Sequence, residues 1–391
     1  MLNYIDEVNK NVSIEEGKKA IEHILITIYF TEGISTKELA RNTLLPVPLV
    51  AAIKKEYIKK GLVIQDRGAR LTIKGRHFIE EILGFKKINN DLYKKLLMEP
   101  WKEHREIIEI KEKLQNFFDN RPQVDVALDQ SKSSIDTSLK RAILSLKDHS
   151  LIGKRILCLG DDDLVSISLG FLLKKLFNNI ANDHTRITVM DIDKRILDYI
   201  NDIAIKESLP IKCECVDFKI PLVDKFKNQF DCLFTDPPYT LEGMNLFLSR
   251  GIEALRDDSG LSIYFSYAHK SPDSQLGMQK CFLNMGLIVS EVMARFNTYE
   301  GASIIGNIGQ MIVLKTTNTT KALIKTTYKG VLYTGELKET VRLYKCKECS
   351  EIIKVGRSEK FNNIEMLKLK GCYKCSGKVF ELTQRKDMNK F

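Results

Sequence analysis

Apolar residues near the amino end recur every three or four positions, as on one face of a helix, and then alternate over a short stretch. The first helical stretch starts at Ser13-Ile-Glu-Glu16, which has the residue order of a capping box. The alternating stretch turns at Arg67-Gly68, as a tight hairpin does. The predicted elements are helices over 13–30, 35–41 and 46–61 and a two-stranded ribbon over 62–73. This order predicts an amino-terminal winged-helix domain.

From residue 155 the pattern changes to short apolar runs separated by helical stretches. Such runs are typical of parallel strands that are covered on both faces. The predicted strands are 155–159, 186–191, 211–217, 230–236 and 260–266, followed by 287–296 and 310–315 as an antiparallel pair that closes the sheet. The fold class is therefore α/β, with a doubly wound sheet whose ligand crevice lies at the carboxyl ends of its strands.

The first of these strands ends at Gly160, and three adjacent carboxylates follow it: Asp161, Asp162 and Asp163. One or two of them are explained by capping of the helix that starts near Leu164. A third like charge at the mouth of the sheet adds repulsion and desolvation without a structural reason. The stretch therefore indicates a pocket for a cationic ligand, with a purely structural loop as the alternative.

Further acidic residues follow the next two strands. Asp191 ends the second strand, where doubly wound folds bind ribose hydroxyls, and Asp217 ends the third, where a carboxylate can accept from an adenine amino group. Asp193 is better explained as the N-cap of the next helix. Asp129 and Gln130 precede the first core strand, and they are weak candidates for lining the site.

Asp236-Pro-Pro-Tyr239 comes directly after the fourth strand. Two prolines restrict the backbone and fix the two flanking side chains at the edge where the crevice lies. The Asp236 carboxylate can accept hydrogen bonds from an amine nucleophile, and the Tyr239 ring can cover it. A purely structural turn is the alternative.

The tail carries Cys346-Lys-Glu-Cys349 and Cys372-Tyr-Lys-Cys375. Two such pairs in one chain predict a zinc ribbon with tetrahedral structural zinc, and redox chemistry is the weaker alternative. From residue 321 onward the chain has 17 basic and 8 acidic residues. The predicted domains are 1–85 (winged helix), 86–124 (helical connector), 125–320 (catalytic) and 321–391 (basic zinc-ribbon tail).

Net charge is unevenly distributed along the 391 residues. The formal charge is +10, but residues 151–320 contain 18 basic and 21 acidic residues. The catalytic segment is thus slightly acidic, which weakens an inference from overall charge to nucleic-acid binding. Cysteine usage, the absence of a signal-peptide pattern and the absence of a long apolar stretch lead us to expect a cytoplasmic protein.

Taken together, the strand pattern, the acids after strands two and three and Asp236-Pro-Pro-Tyr239 resemble the Rossmann-like class I methyltransferase superfamily. Gly160 followed by three aspartates in place of a glycine-rich loop, with the winged helix, resembles the branched-chain polyamine synthase family over roughly residues 10–320. These enzymes are N(4)-bis(aminopropyl)spermidine synthases. The resemblance implies aminopropyl transfer from decarboxylated S-adenosylmethionine to the secondary amine of spermidine. The products would be N(4)-aminopropylspermidine, N(4)-bis(aminopropyl)spermidine and methylthioadenosine.

The resemblance also implies roles for the candidate residues. Asp162 would accept the proton and position the amine, and Asp236 with Tyr239 would orient the acceptor nitrogen. The residues assigned to the donor are Gly160, Asp161, Asp163, Asp191, Asp217 and Gln130. A homodimer is expected, since winged helices often serve as dimerisation modules.

Two alternatives remain open at this stage. One is an S-adenosylmethionine-dependent amino-methyltransferase acting on DNA or RNA, for which the basic zinc ribbon, absent from the synthase pattern, would be a nucleic-acid grip. The other is a transcription regulator with a degenerate ligand-sensing domain. The three consecutive aspartates argue against the first, and the rigid placement of Asp236 argues against the second.

Overall fold

The computed structural model describes residues 4–178, 184–300, 306–333, 339–356 and 359–388. The chain divides into two compact units. The first comprises Met1–Pro122, Lys132–Pro237 and Asn245–Tyr328, and the second comprises Gln123–Ser131, Pro238–Met244 and Lys329–Phe391. The predicted domain boundaries are not tested by this division and stay predictions.

The amino-terminal part of the first unit is helical. Its elements are α1 (Tyr4–Val12), α2 (Lys18–Phe30), α3 (Thr36–Thr43), α4 (Val47–Lys59), β1 (Val63–Gln65) and β2 (Ala69–Leu71). The α3 helix has a true capping box, in which Ser35 Oγ accepts from Glu38 N at 3.1 Å and Glu38 Oε2 accepts from Ser35 N at 3.2 Å. The predicted helices and ribbon are therefore present in order, and the winged-helix assignment itself stays a prediction.

The helix predicted over 13–30 is wrong at its start. Gly17 has φ +81°, and a Cβ there would lie 2.5 Å from Ser259 O, so the chain makes a close turn that only glycine accommodates. Ser13 lies in the left-handed region with φ +49°, and its hydroxyl donates to Lys10 O at 3.3 Å. The capping box expected at Ser13 is consequently absent, and α1 lies before it.

A helical layer joins this part to the sheet. It contains α5 (Ile73–His77), a π-helical turn (Phe78–Ile82), α6 (Asn90–Met98), α7 (Arg105–Asp119), the short strand β3 (Lys132–Ser133) and α8 (Ile135–Lys147). Ser134 caps α8 by accepting from Thr137 N at 3.2 Å. The α8 helix is buried over most of its length, which brings its one buried arginine, Arg141, inside the protein.

The central sheet has eight strands among the described residues, in the order β3-β9-β10-β8-β7-β4-β5-β6. Neighbours from β8 through β6 are parallel, and β10 pairs antiparallel with both β8 and β9. The predicted closing antiparallel pair is confirmed. The strands are β4 (Arg155–Leu159), β5 (Arg186–Asp191), β6 (Ile211–Cys215), β7 (Cys232–Thr235), β8 (Ser262–Ala268), β9 (Leu287–Glu300) and β10 (Ile308–Thr316).

Helices alternate with these strands, as a doubly wound sheet requires. They are α9 (Val165–Leu176), α10 (Lys194–Glu207), α11 (Leu241–Ala254) and α12 (Pro272–Asn284), with a 3-10 turn at Asp224–Phe226. Every residue of β7 and β8 is buried, which places the core of the unit around the middle of the sheet. Among the described helices, none is long and apolar enough to cross a bilayer.

The carboxyl-terminal part of the second unit is a three-stranded antiparallel sheet with one helix. Its elements are β11 (Glu339–Cys346), β12 (Ile352–Val355), α13 (Ile364–Lys370) and β13 (Phe380–Met388), and a 3-10 turn at Val126–Leu128 also belongs to this unit. The strand order is β12-β11-β13. This sheet has its own small core, formed by Cys346, Ile353, Val355, Phe361, Leu367 and Cys372.

Arg250 of α11 is fully buried and ties together two segments of the first unit. It donates to Phe218 O at 2.9 Å, to Ile324 O at 2.8 Å and to Thr326 O at 2.9 Å. We expect Arg250→Met to lower the free energy of unfolding by about 3 kcal/mol, because buried carbonyl groups lose their donors. Urea unfolding followed by circular dichroism measures this change.

The exposed Arg41 of α3 provides the control for this prediction. Arg41→Met should change the free energy of unfolding by no more than about 0.5 kcal/mol, as at most surface positions. A loss below about 1 kcal/mol in Arg250→Met would show that the three carbonyl groups find other partners or water.

Candidate active site

The candidate site lies at the carboxyl ends of β4 and β7, which are adjacent parallel strands. The chain leaves β4 toward β5 on one side and leaves β7 toward β8 on the other, so this is the point where the strand order reverses. A small pocket with a volume of about 10 Å³ lies here. It is lined by Arg141, Gly160, Asp161, Asp163, Val165, Phe234, Thr235, Asp236, Tyr264 and Ser266.

Asp161 caps the start of α9. Its Oδ1 accepts from Val165 N at 2.8 Å and its Oδ2 from Ser166 N at 3.1 Å, so the carboxylate caps helical N–H groups that would otherwise be unpaired. The residue is 1% exposed, and this burial raises the pKa of Asp161 to about 7 even though the backbone donors lower it. Gly160, with φ +69°, makes the turn into this loop.

Asp163 is buried as well and faces a cation of the protein. Its Oδ1 accepts from Ser133 N at 2.9 Å, and its Oδ2 accepts from Arg141 Nη1 at 2.6 Å. The last of the three consecutive aspartates thus binds the loop to β3 and α8. Its assignment to the donor stays a prediction.

Arg141 also holds Asp236, the first residue of the Asp-Pro-Pro-Tyr motif. Asp236 Oδ2 accepts from Arg141 Nη2 at 2.9 Å and from the Tyr299 hydroxyl at 2.6 Å. Arg141 Nε donates to Asn297 Oδ1 at 3.0 Å, which fixes the guanidinium plane. Arg141 therefore lies between two carboxylates that come from different strand ends.

The remaining oxygen of Asp236 is in a different situation. Asp236 Oδ1 is buried and accepts no hydrogen bond from the described residues. Burial raises the pKa of Asp236 to about 6; the Arg141 guanidinium lowers it, and the nearby Asp163 carboxylate raises it. Asp236 lines the pocket, and Oδ1 is the atom of its carboxylate that has no hydrogen-bond donor among the described residues.

The acids after the second and third parallel strands mainly organise loops. Asp191 Oδ2 accepts from Asp161 N at 3.2 Å and its Oδ1 from Asp193 N at 2.8 Å, and burial raises the pKa of Asp191. Asp193 accepts from Arg195 N at 3.0 Å, which confirms its prediction as the N-cap of α10. Asp217 is half-buried and accepts from Lys219 N at 2.9 Å. The structure brings Asp191 and the Asp161 loop together.

Asp162 differs from its two neighbours because it is only half-buried. Gln130 and Tyr239 belong to the second unit, where Gln130 Oε1 accepts from Asp125 N at 2.7 Å. The roles predicted for Asp162, Gln130 and Tyr239 stay predictions.

Sequence reasoning missed Arg141, Tyr299 and Asn297. The only local signal for Arg141 is its position beside Lys140 in the otherwise mostly apolar stretch Leu139–Leu146 of α8. Tyr299 and Asn297 lie near the end of β9, more than sixty residues from Asp236. Arg141 and Tyr299 meet at Asp236, and Asn297 meets Arg141, only because of the strand order, which the hydrophobic pattern does not specify.

The four tail cysteines converge, as their spacing predicts. Their Sγ atoms all lie within 4.8 Å of one another, with Cys346 and Cys375 at 3.5 Å and Cys349 and Cys372 at 3.6 Å. Tetrahedral zinc with bonds of about 2.3 Å requires sulfur atoms about 3.8 Å apart. The thiol set therefore fits a four-cysteine zinc ion.

Comparison with known proteins bears on the family and the fold of this chain. The model of the branched-chain polyamine synthase A C-terminal domain family matches residues 109–354. This match extends past residue 320, where the sequence pattern ended the resemblance, and it takes in the first cysteine pair. An uncharacterised protein of Methanocaldococcus jannaschii is 39% identical over 391 residues, covering 98% of this chain and 93% of that protein.

Two further relatives carry functional names. N(4)-bis(aminopropyl)spermidine synthase of Methanocaldococcus jannaschii is 28% identical over 302 residues, 75% of this chain and 81% of that enzyme. The branched-chain polyamine synthase of Thermus thermophilus, solved with N4-aminopropylspermidine and 5′-methylthioadenosine, is 20% identical with a TM-score of 0.51. That match covers 84% of this chain and 96% of the solved one, and it confirms the α/β fold. Since the family match spans more than half of the sequence, this chain belongs to the branched-chain polyamine synthase family.

Proposed function

We propose that this protein is an aminopropyltransferase that moves aminopropyl groups from decarboxylated S-adenosylmethionine to the secondary amine of spermidine. Relatives named for this activity align over three quarters of the chain. The observation that carries the proposal is the acidic pocket at the switch point, where Asp236 presents a buried oxygen with no partner among the described residues.

The reaction is a displacement at carbon. The neutral nitrogen of the acceptor forms a bond to the propyl carbon next to the sulfonium, and the carbon–sulfur bond breaks with its electron pair going to sulfur. Methylthioadenosine leaves as a neutral thioether, and the nitrogen becomes positively charged. Loss of a proton allows a second addition, which yields a quaternary ammonium. The protein must therefore align the amine, keep it deprotonated and stabilise positive charge.

Acidic residues around the pocket suit this chemistry and select the donor. Asp161 and Asp163 line the pocket, and Asp162 lies between them on the same loop. Intact S-adenosylmethionine would bring its own carboxylate toward this loop, where like charges repel. The decarboxylated form brings only positive charge, and spermidine is a polycation that an acidic cleft attracts.

Asp162 and Asp236 are the proposed catalytic carboxylates. Asp162 is the least buried of the three consecutive aspartates and is the proposed proton acceptor, while Asp236 Oδ1 is the proposed acceptor for the amine N–H. Arg141 and Tyr299 act as positioning residues, because they hold the other oxygen of Asp236.

We expect mass spectrometry to detect successive additions of aminopropyl units to spermidine when the protein is incubated with decarboxylated S-adenosylmethionine. Asp162→Asn removes the proposed proton acceptor without changing its size and should lower kcat at least 100-fold. The exposed Asp202 of α10 offers a matched control, and Asp202→Asn should retain full activity.

The outcome that contradicts the proposal is equally specific. If no aminopropyl product forms and intact S-adenosylmethionine instead donates methyl groups to DNA or RNA, the protein is an amino-methyltransferase. If the product forms equally fast in Asp162→Asn, the protein is still an aminopropyltransferase, but Asp162 is not its proton acceptor.

The acidic limb of the pH profile tests the Arg141–Asp236 contact. The pKa of Asp236 is raised to about 6, so its carboxylate is protonated as the pH falls below that value. The Asp236 carboxylate must be ionised to accept a hydrogen bond from the neutral amine, and we therefore expect kcat/KM to fall below about pH 6. Arg141 lowers the pKa of Asp236, so Arg141→Gln should move this limb to higher pH.

Tyr299→Phe provides a matched, milder change at the same oxygen. The Tyr299 hydroxyl also lowers the pKa of Asp236, so the limb should move in the same direction by a smaller amount. If the acidic limb keeps its position on the pH axis in both variants, it arises from the ionisation of a group other than Asp236.

We propose further that the four tail cysteines hold one structural zinc ion. Zinc would fix the two turns that carry Cys346-Lys-Glu-Cys349 and Cys372-Tyr-Lys-Cys375 and so replace the larger core that this small sheet lacks. All four ligands are thiolates, which leaves no position for a catalytic water.

Elemental analysis of the purified protein should find one zinc per chain. Cys346→Ser should lose most of the zinc, because three thiolates bind it far more weakly than four, and Cys215→Ser should keep it, since Cys215 is an exposed cysteine outside the cluster. Full zinc content in Cys346→Ser would exclude the cluster as the metal site.

A further inference from the structure

Arg121, which lies just past the end of α7, is a buried cation with a fixed position. The residue is 4% exposed, and its Nη2 donates to Ser133 O at 2.8 Å. Its Cζ atom lies 5.0 Å from the centre of the Phe118 ring, so an aromatic side chain covers one face of the guanidinium. Packing and one hydrogen bond therefore hold the group in place.

Two donors of this guanidinium have no acceptor. Nε and Nη1 are buried, and neither makes a hydrogen bond with the residues that the structure describes. A buried N–H group without an acceptor costs free energy, and the cost is larger when the group is charged. Buried polar groups in native proteins nearly always have partners. The two donors of Arg121 therefore point to an acceptor that a ligand or a water molecule supplies.

One residue, Ser133, connects Arg121 to the loop of three aspartates after β4. The Ser133 carbonyl accepts from Arg121, and the Ser133 N–H donates to Asp163 Oδ1 at 2.9 Å. The Ser133 hydroxyl also donates to Asp163 O at 3.3 Å. Asp163 lines the pocket at the switch point. The unpaired donors are thus held beside the site proposed for the aminopropyl donor.

Arg121 lacks acceptors, but it does not lack negative charge in its surroundings. Burial lowers the pKa of Arg121, and the carboxylates of Asp163, Glu300 and Asp162 raise it. These carboxylates act over a distance, since none of them accepts from Nε or Nη1. The missing partner is therefore a hydrogen-bond acceptor that needs no charge of its own.

The proposed reaction offers such acceptors on only one group. Spermidine and the aminopropyl end of the donor carry ammonium groups, which donate hydrogen bonds and are repelled by a guanidinium. The one neutral nitrogen of spermidine is the nucleophile, and its lone pair is used in the reaction. The adenosyl part of the donor is uncharged, and its ribose oxygens and adenine ring nitrogens accept hydrogen bonds. Methylthioadenosine keeps all of these atoms.

We propose that Arg121 is a binding residue for the nucleoside part of the donor, with Nε and Nη1 donating to its ribose or adenine acceptors. The inference rests on the proposed aminopropyl-transfer function. Ionised aspartates around the site can only accept hydrogen bonds, so they serve the hydroxyl and amino groups of a nucleoside. Arg121 supplies the donors that this set of residues lacks.

Isothermal titration of the full-length protein with methylthioadenosine and, separately, with spermidine tests this proposal. Arg121→Met removes the donors and keeps an apolar side chain against Phe118. It should weaken methylthioadenosine binding at least about tenfold, because only the nucleoside accepts from Arg121, and should change the Kd for spermidine less than about twofold. Arg105→Met, at an exposed arginine of α7, is the matched control and should bind both ligands as the unchanged protein does.

A purely structural Arg121 gives a different result. Arg121→Met would then melt at a lower temperature but bind methylthioadenosine as tightly as the unchanged protein, which overturns the proposal. An equal loss of affinity for both ligands overturns it as well. Should Arg121→Met fail to fold, Arg121→Lys keeps the charge without the planar set of donors, and it should weaken methylthioadenosine binding at least about threefold. Unchanged affinity in Arg121→Lys would contradict the proposal in that case.

The unchanged protein separates this inference from the function on which it rests. If it binds neither methylthioadenosine nor spermidine, the proposed aminopropyl transfer fails, and the role of Arg121 fails with it. If it binds both ligands and Arg121→Met still binds methylthioadenosine normally, the proposed function stands and only the role of Arg121 is wrong.

Discussion

A single buried cation, Arg141, determines how the candidate active site is assembled. Its guanidinium contacts Asp163 from the loop after β4, Asp236 from the end of β7, and Asn297 and Tyr299 from β9. Two buried carboxylates this close would repel each other without a cation between them. A buried ion pair adds little net stability, because desolvation offsets its attraction, but removing one partner leaves an uncompensated charge. The contact is therefore best understood as setting geometry.

The three consecutive aspartates show how far a charge argument from sequence can go. Three acids at a helix start exceed what capping needs, and this excess predicted a cationic ligand. Two of them nevertheless have structural partners: Asp161 caps α9, and Asp163 pairs with Arg141. The sequence could not reveal this division, since the partner of Asp163 lies in α8 and arrives only through the fold.

Local signals predicted the fold well, and long-range contacts account for the misses. Buried strands, the closing antiparallel pair and the cysteine cluster all follow from periodicity or spacing that is read within a few residues. The break before α2 was missed because Gly17 turns against Ser259, a neighbour 242 positions away. Arg141 was missed for the same kind of reason: an arginine in an apolar stretch is informative only when its carboxylates are known.

The charges of the pocket also explain why a cationic ligand fits it energetically. Burial raises the pKa values of the pocket residues Asp161 and Asp236 and of Asp191, which accepts from Asp161 N, so each of these carboxylates is ionised at a cost in free energy. Arg141 compensates directly for only two of the pocket carboxylates, Asp163 and Asp236. A bound cation lowers the pKa of every acid near it, so cation binding and ionisation reinforce each other. The same reasoning disfavours a ligand that carries its own carboxylate, because that group would raise these pKa values further. Discrimination between decarboxylated and intact S-adenosylmethionine is thus expected from the electrostatics of the loop after β4, without a dedicated steric contact.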